Sequence, residues 1–125
     1  MRALLVIAAA TAVGSCTAPA SPPASDLARV TAGRVAGPPQ TCVSLEGVSN
    51  VRALDSQTLA YGSGRTVYIN HLGSPCPGVE PLGLLIVEAN GNQYCRGDRI
   101  RGRELGATIS GPRCVLSDWV PYRTP

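Results

Sequence analysis

Cysteine is the residue type whose chemistry stands out most clearly in this chain, because its five cysteines divide into one and four. Cys16 closes an apolar run near the N-terminus, where a thiol can serve as an attachment point. The even set that can pair into disulfides comprises Cys42, Cys76, Cys95 and Cys114. With no C-x-x-C pair and one histidine, the set favours neither a zinc site nor thioredoxin-like redox chemistry.

Residues 1–15 have the layout of a signal peptide. Arg2 supplies a positive charge, an apolar stretch runs from Ala3 to Val13, and small residues precede Cys16. As a helix this stretch would span about 16 Å, well short of a hydrocarbon core, so it does not predict a permanent transmembrane helix. We expect the segment to be removed from the mature protein.

The four residues Val13-Gly14-Ser15-Cys16 resemble a bacterial lipobox. The resemblance implies that Cys16 receives a diacylglyceryl group and fatty acyl chains such as palmitate, and becomes the new N-terminus. Thr17 rather than Asp follows it, which resembles lipoproteins sorted to the outer membrane. The alternative is an ordinary secretory signal that happens to contain this cysteine.

Composition divides the remaining chain in two. Residues 16–40 are rich in Pro, Ala, Ser and Gly and carry no hydrophobic period, so they predict a disordered tether in which only Asp26–Val35 could form a short helix. Residues 41–125 are expected to form one small domain. A net charge of +3, one Trp and no Phe argue against nucleic-acid binding.

The apolar pattern after residue 40 is short and β-like, with turn residues between the runs, so it predicts an all-β domain. A small barrel or a coiled antiparallel sheet, stapled by two disulfides, would suit its size. The predicted strands are Cys42–Leu45, Asn50–Leu54, Thr58–Tyr61, Thr66–Leu72, Leu82–Ala89, Gln93–Arg96, Arg99–Arg101, Ala107–Ser110 and Cys114–Trp119.

Two sequence features predict how these strands are arranged. Asn90-Gly91 is a type I′ hairpin signal. The continuous run from Leu84 to Val87 predicts a central strand covered on both faces, or a strand whose outer face is covered by a partner.

Four cysteines permit three disulfide connectivities, and the sequence leaves all three open. We favour the nested arrangement, Cys42 with Cys114 and Cys76 with Cys95, because it would join the first and last strands and close a smaller inner loop.

Arginines alternate along the segment Arg99-Ile100-Arg101-Gly102-Arg103. On a strand, Arg99, Arg101 and Arg103 would lie on one face about 6.7 Å apart, with Ile100 facing the core. Such a row could bind phosphates or carboxylates bidentately, which lipopolysaccharide and peptidoglycan both offer. The alternative is a solvated edge strand whose charges discourage pairing and meet Glu88 or Glu104.

Catalytic patterns are absent from the sequence. It contains no G-x-S-x-G, H-E-x-x-H or P-loop motif, and His71 is its only imidazole. The carboxylates that a fold could bring together are Asp55, Glu88, Asp98 and Asp118. Solvation, turns and pairing with arginine account for them more simply, so we expect no enzyme, no metal and no cofactor.

Several short motifs together resemble a family of small bacterial envelope domains of unknown function. They are Cys42-x-x-Leu45, Leu54-Asp55-Ser56-Gln57-Thr58-Leu59, Val67-Tyr68-Ile69-Asn70, Cys76-Pro77-Gly78, Cys95-Arg96-Gly97-Asp98 and Cys114-Val115-Leu116. The resemblance implies an envelope domain and assigns no activity.

We therefore expect a non-enzymatic binding or structural module, anchored through Cys16 at the periplasmic face of the outer membrane. Its partner would be an envelope protein, peptidoglycan or lipopolysaccharide. The alternative is an inhibitor of an envelope-attacking hydrolase, a lysozyme or a protease, with Gly73–Pro81 as the loop that enters the enzyme cleft.

Overall fold

The computed structural model describes Gly14, residues 25–45 and residues 50–125; Cys16, and the predicted signal peptide apart from Gly14, lie outside the described residues. The elements are α1 (Asp26–Thr31), β1 (Val35–Ala36), β2 (Cys42–Ser44), β3 (Arg52–Ala53), β4 (Thr58–Tyr61), β5 (Thr66–His71), β6 (Leu84–Glu88), β7 (Gln93–Cys95), β8 (Arg99–Arg103), β9 (Cys114–Val115) and β10 (Trp119–Arg123). The strands form antiparallel sheets, and two disulfides join them. The predicted all-β, disulfide-stapled class is confirmed.

The largest sheet has five strands in the order β1-β10-β5-β4-β3. Strands β3, β4 and β5 form a meander within it, with β4 pairing β5 from Thr58 opposite His71 to Tyr61 opposite Tyr68. Strand β10 then pairs along the other side of β5. The alternate residues Val67 and Ile69 of β5 point to one face of the sheet, where they are buried in a core cluster with Leu54 and Ala60.

The arginine-bearing strand β8 lies in a smaller sheet of order β6-β8-β9, beside a two-stranded sheet of β2 and β7. The prediction of a central β6 is wrong, because β6 pairs only with β8 among the described residues. Its side chains are half-buried or, at Leu84, exposed. Leu85 and Val87 nevertheless pack against the main core, so one face of β6 is covered from within the chain.

The core is built around Trp119 and Tyr61. The Trp119 side chain is fully buried and lies in a cluster with Leu59 and Ile100, which brings the five-stranded sheet against β8. Tyr61 packs edge to face on Trp119, with ring centroids 6.2 Å apart. Aromatic pairs of this geometry add to the stability gained from buried area alone.

The disulfides join Cys42 to Cys95 and Cys76 to Cys114, so the favoured nested pairing is wrong. Cys42 and Cys95 are opposite each other in the β2–β7 ladder, which places their Cα atoms 4.0 Å apart. The second bridge ties a fully buried Cys76 to the start of β9. Strand pairing therefore decides the connectivity.

Part of the predicted tether is folded. The side chain of Ser25 accepts a hydrogen bond from Ala28 N and begins α1, and Asp26 forms an ion pair with Arg29. Leu27 of this helix packs against the second core cluster, and β1 adds to the edge of β10. The domain thus includes residues 25–40. The described residues contain no helix with the length and apolar character needed to cross a membrane.

Two further strand predictions are corrected. Ala107–Ser110 forms no strand, since this stretch is an exposed loop after β8. Asn90-Gly91 does not close a hairpin, because β6 pairs with β8 while β7 pairs with β2. The predicted strand Cys114–Trp119 is divided between β9 and β10.

Candidate anion-binding face

Four arginines share one face of the β6-β8-β9 sheet. Along β8, Ile100 and Gly102 are buried whereas the intervening arginines are exposed or half-buried. Arg113 precedes β9 and pairs with Glu88, which lies opposite Arg99 in the ladder. We call this set the arginine face; it comprises Arg99, Arg101, Arg103 and Arg113.

Close backbone packing fixes β8 in the middle of this sheet. A Cβ at Gly78 would lie 2.7 Å from the carbonyl oxygen of Gly102, and a Cβ at Gly102 would collide with the backbone of Gly78. The same Gly102 carbonyl accepts a hydrogen bond of 2.7 Å from Gly111 N. Because β8 pairs with β6 on one side and β9 on the other, its arginines do not protect a sheet edge.

Three of the four arginines form no ion pair with an acidic residue in the described part of the chain. Within the described part of the chain, the ion pairs are Arg29 with Asp26, Arg96 with Asp118 at 3.2 Å and Arg113 with Glu88 at 2.9 Å. The Nε atom of Arg101 is buried and makes no hydrogen bond in the structure. Arg99, Arg101 and Arg103 therefore offer guanidinium groups that no carboxylate of residues 25–45 or 50–125 neutralises by direct contact.

Glu88 is the carboxylate of this face, and the arginines control its ionisation. The hydrogen bond from Arg113 holds the pKa of Glu88 below its ordinary value of 4.5, with further lowering by the charges of Arg113, Arg101 and Arg99. Partial burial acts in the opposite direction but is outweighed. The face thus carries four cations against one anion at neutral pH.

Apolar side chains frame the guanidinium row. In the ladder, Leu84 lies opposite Arg103, Ile86 opposite Arg101, and Val115 opposite Arg99 on the other side. Side chains directly opposite in a sheet share a face, so each arginine stem lies against an aliphatic neighbour. The aliphatic neighbours hold the guanidinium groups apart at the spacing of alternate residues on a strand. The row can therefore bind several phosphates or carboxylates side by side.

Three exposed apolar residues, which the sequence pattern did not predict, lie at one end of this sheet. Leu82, Leu105 and Ile109 are 89%, 80% and 82% exposed, and we call them the apolar tip. Leu82 and Leu105 border a depression of about 400 Å³ that also includes Arg103. The sequence signal was a leucine inside a turn, in Pro81-Leu82-Gly83 and Leu105-Gly106, where apolar residues are unexpected.

A groove lies between α1 and this end of the small sheet. It has a volume of about 580 Å³, and Asp26, Arg29 and Val30 of α1 line one side. Pro81 and Leu82 line another. The helix that follows the N-terminal segment is therefore next to the apolar tip.

His71 and the carboxylates that a fold could bring together form no shared cluster among the described residues. His71 is exposed at the end of β5. Asp55 accepts a hydrogen bond from Gln57 N at 2.8 Å, Asp98 accepts one from Cys95 N at 2.8 Å, and Asp118 pairs with Arg96. Among the described residues, no group of three or more His, Cys, Asp and Glu side chains could hold a metal ion.

The loop Gly73–Pro81 is tied down rather than projecting as a whole. Cys76 is fully buried and its N–H donates to Ser56 O at 2.8 Å, while Val79 is 2% exposed. Gly78 lies against β8 as described above. The segment that projects follows directly after it, at Leu82.

Comparisons with known proteins gave no match for this chain among protein-family models, curated proteins or solved structures.

Proposed function

We propose that this protein is a lipid-anchored, non-enzymatic binding module of the bacterial cell envelope, and that its arginine face binds anionic groups. The observation that carries the proposal is the row Arg99, Arg101 and Arg103, which has no carboxylate within ion-pairing distance in the described chain. Protein surfaces usually mix charges of both signs. An unneutralised row on a rigid central strand is a device for binding anions bidentately.

The lipid anchor is proposed from the residues that precede and include Cys16, which resemble a lipobox. Acyl chains on this cysteine would hold the domain at a membrane, and Thr17 favours the periplasmic face of the outer membrane. Nine peptide steps separate Cys16 from Ser25, so the folded domain would stand at most about 32 Å from the anchor. This is a much shorter tether than residues 16–40 would provide.

Two anionic materials of the envelope are candidate ligands. Lipopolysaccharide carries phosphates and peptidoglycan carries carboxylates, and guanidinium groups pair with both in the same forked geometry. The proposal therefore names a class of ligand by its charge and shape. Binding to either one would support it.

The experiment is cosedimentation of the full chain with peptidoglycan and with lipopolysaccharide. The triple variant Arg99→Ser, Arg101→Ser and Arg103→Ser is expected to lose most of its binding. The matched control is Arg52→Ser, Arg65→Ser and Arg123→Ser, which removes the same charge from exposed positions on the five-stranded sheet and its turns. Equal binding by the two triple variants would refute the proposal.

A second candidate function, inhibition of an envelope-attacking hydrolase, is supported by Leu82. This side chain is 89% exposed beside the pinned loop Gly73–Pro81, and an anchor residue of this kind can fill an enzyme pocket. A panel of lysozymes and proteases tests it directly. Loss of inhibition by Leu82→Ser, with retention by Val35→Ser, is the expected result for an inhibitor.

A further inference from the structure

We infer that the apolar tip, Leu82, Leu105 and Ile109, docks on the surface of a lipid bilayer with anionic head groups. The inference rests on the proposed function, because Arg103 and Arg101 would bind lipid phosphates above the inserted tip. It names a second membrane contact, made by the folded domain itself, besides the anchor at Cys16.

The first observation is the grouping of large apolar side chains in water. Single exposed leucines are common on proteins, but here three residues of at least 80% exposure lie on two loops at one end of one sheet. The loops are joined by a hydrogen bond from Leu105 N to Glu80 Oε1 of 3.2 Å. Leu84, 49% exposed, extends the same apolar surface toward the arginines.

The second observation is the backbone of Leu82. It has a φ of +69° and is the single non-glycine residue with positive φ in the described chain. This conformation is unfavourable for a bulky L-residue and persists only where neighbouring contacts impose it. The turn Glu80–Gly83 imposes it here: Gly83 N–H donates to Glu80 O at 3.1 Å, and Pro81 followed by a positive φ at Leu82 is the pattern of a type II turn. The turn thus holds Leu82 outward.

The third observation is the position of positive charge relative to the tip. Arg103 shares a depression with Leu82 and Leu105, and Arg101 follows two residues further along the strand, about 6.7 Å away. Apolar side chains of interfacial proteins enter the boundary between head groups and acyl chains by about 5–10 Å. At that depth Arg103 lies at the level of the phosphates.

The position of α1 agrees with this orientation. The helix borders the same groove as Leu82, so the chain that leads back to Cys16 reaches the fold beside the apolar tip. With at most about 32 Å between anchor and Ser25, that end of the domain faces the membrane more readily than the opposite end. A weak tip contact suffices, because the anchor raises its effective concentration at the surface.

The experiment places a fluorescent reporter on the tip. The full chain carrying Leu105→Trp is reconstituted in vesicles of equal parts phosphatidylcholine and phosphatidylglycerol, whose acyl chains are brominated to quench tryptophan. Trp119 is fully buried and gives a constant background. The matched control is Val35→Trp, at a 62% exposed position on β1 in the other sheet.

We expect the tryptophan introduced by Leu105→Trp to shift its emission to shorter wavelength and to lose most of its intensity, while Val35→Trp changes little. Adding Leu82→Ser and Ile109→Ser to the Leu105→Trp chain should reduce the quenching. Equal quenching of the two reporters would overturn the inference. If added lysozyme shields the Leu105→Trp reporter from solvent and the brominated lipid does not quench it, the inference is also overturned. The tip would then be assigned to a protein partner.

The failure of the inference is distinguishable from that of the proposed function. If the tip inserts equally into neutral vesicles and the arginine-to-serine triple variant still binds peptidoglycan and lipopolysaccharide, the tip contact stands without the anion site. If the reporter stays unquenched while that triple variant loses binding, the anion site stands without the tip.

Discussion

Asn70 and Ser117 are joined by two hydrogen bonds although they lie 47 residues apart. Asn70 Nδ2 donates to Ser117 O at 2.7 Å, and Ser117 N donates to Asn70 Oδ1 at 3.0 Å. The amide thereby replaces a ladder partner for the backbone between β9 and β10, where pairing is interrupted. Because Asn70 is fully buried on β5, it fixes β9, and with it one border of the arginine face, to the five-stranded sheet.

Replacing Asn70 should therefore destabilise the domain. Asn70→Ala leaves the backbone N–H and C=O of Ser117 without their partners, and we expect a loss of about 3 kcal/mol in the free energy of unfolding. Ser117→Ala is the matched control, since both bonds use the Ser117 backbone and survive the change. Urea unfolding measures both variants. A similar midpoint for the two would contradict the role assigned to Asn70.

The contact between Gly102 and Gly78 makes a second prediction. Gly102→Ala places a Cβ against the backbone of Gly78, so the chain must shift, at a cost of about 1–3 kcal/mol. The shift would also move Arg101 and Arg103 and weaken anion binding. Gly73→Ala is the control, because a Cβ there meets nothing within 4 Å. Unfolding midpoints that do not differ between the two variants would argue against a tight backbone contact.

The local sequence pattern predicted a feature correctly where turn residues bound a strand or where side chains alternate along it. The strand Thr58–Tyr61 was predicted with the observed bounds, because turn residues flank it on both sides. Arg99, Arg101 and Arg103 were placed on one face of a strand because side chains alternate in any strand. That placement needed no knowledge of neighbouring strands.

Features that depend on which strands become neighbours were not accessible from the sequence. The disulfide pairing follows from Cys42 lying opposite Cys95. The predicted hairpin at Asn90-Gly91 does not form because β7 pairs with β2. The folding of α1 was hidden for a similar reason. Leu27 and Val30 stabilise α1 by packing against the second core cluster, and helix propensity does not reveal such a tertiary contact.

The observed disulfide connectivity can be tested by peptide mapping without reduction. Trypsin alone leaves Cys76 and Cys95 on one peptide, because no basic residue lies between Arg65 and Arg96. Additional cleavage after glutamate, at Glu88, separates them. We expect Cys42 linked to Cys95 and Cys76 linked to Cys114. A Cys76–Cys95 link would contradict the structure.

The pKa of Glu88 predicts a pH dependence at the arginine face. Since this pKa lies below 4.5 in the folded state, the ion pair with Arg113 contributes its full stabilisation of the folded state above pH 4.5. That stabilisation is lost as the pH falls through the lowered pKa. Arg113→Ser removes the largest lowering cause, so the pKa of Glu88 should rise. NMR titration of the carboxyl carbon measures it, with Arg65→Ser as the control. An unchanged titration in Arg113→Ser would disprove the pairing.

Arginine geometry, as distinct from positive charge, can be tested by a substitution that keeps the charge. Lysine at positions 99, 101 and 103 preserves three cations on the same face but replaces each planar fork with a single ammonium group. If the ligand is held bidentately, each replacement loses one charge-assisted hydrogen bond, on the order of 1 kcal/mol or a factor of about five in affinity.

The triple variant Arg99→Lys, Arg101→Lys and Arg103→Lys should therefore bind anionic ligands more weakly than the parent and more tightly than the serine triple variant. Quantitative cosedimentation over a salt series separates the two contributions, because long-range attraction is screened by salt while short hydrogen bonds are screened much less. Equal affinity of the lysine variant and the parent at every salt concentration would show that the face recognises its anionic ligand by charge alone. In that case the alternation of arginines along β8 would matter for the density of charge it provides, and the forked geometry would have no part in binding.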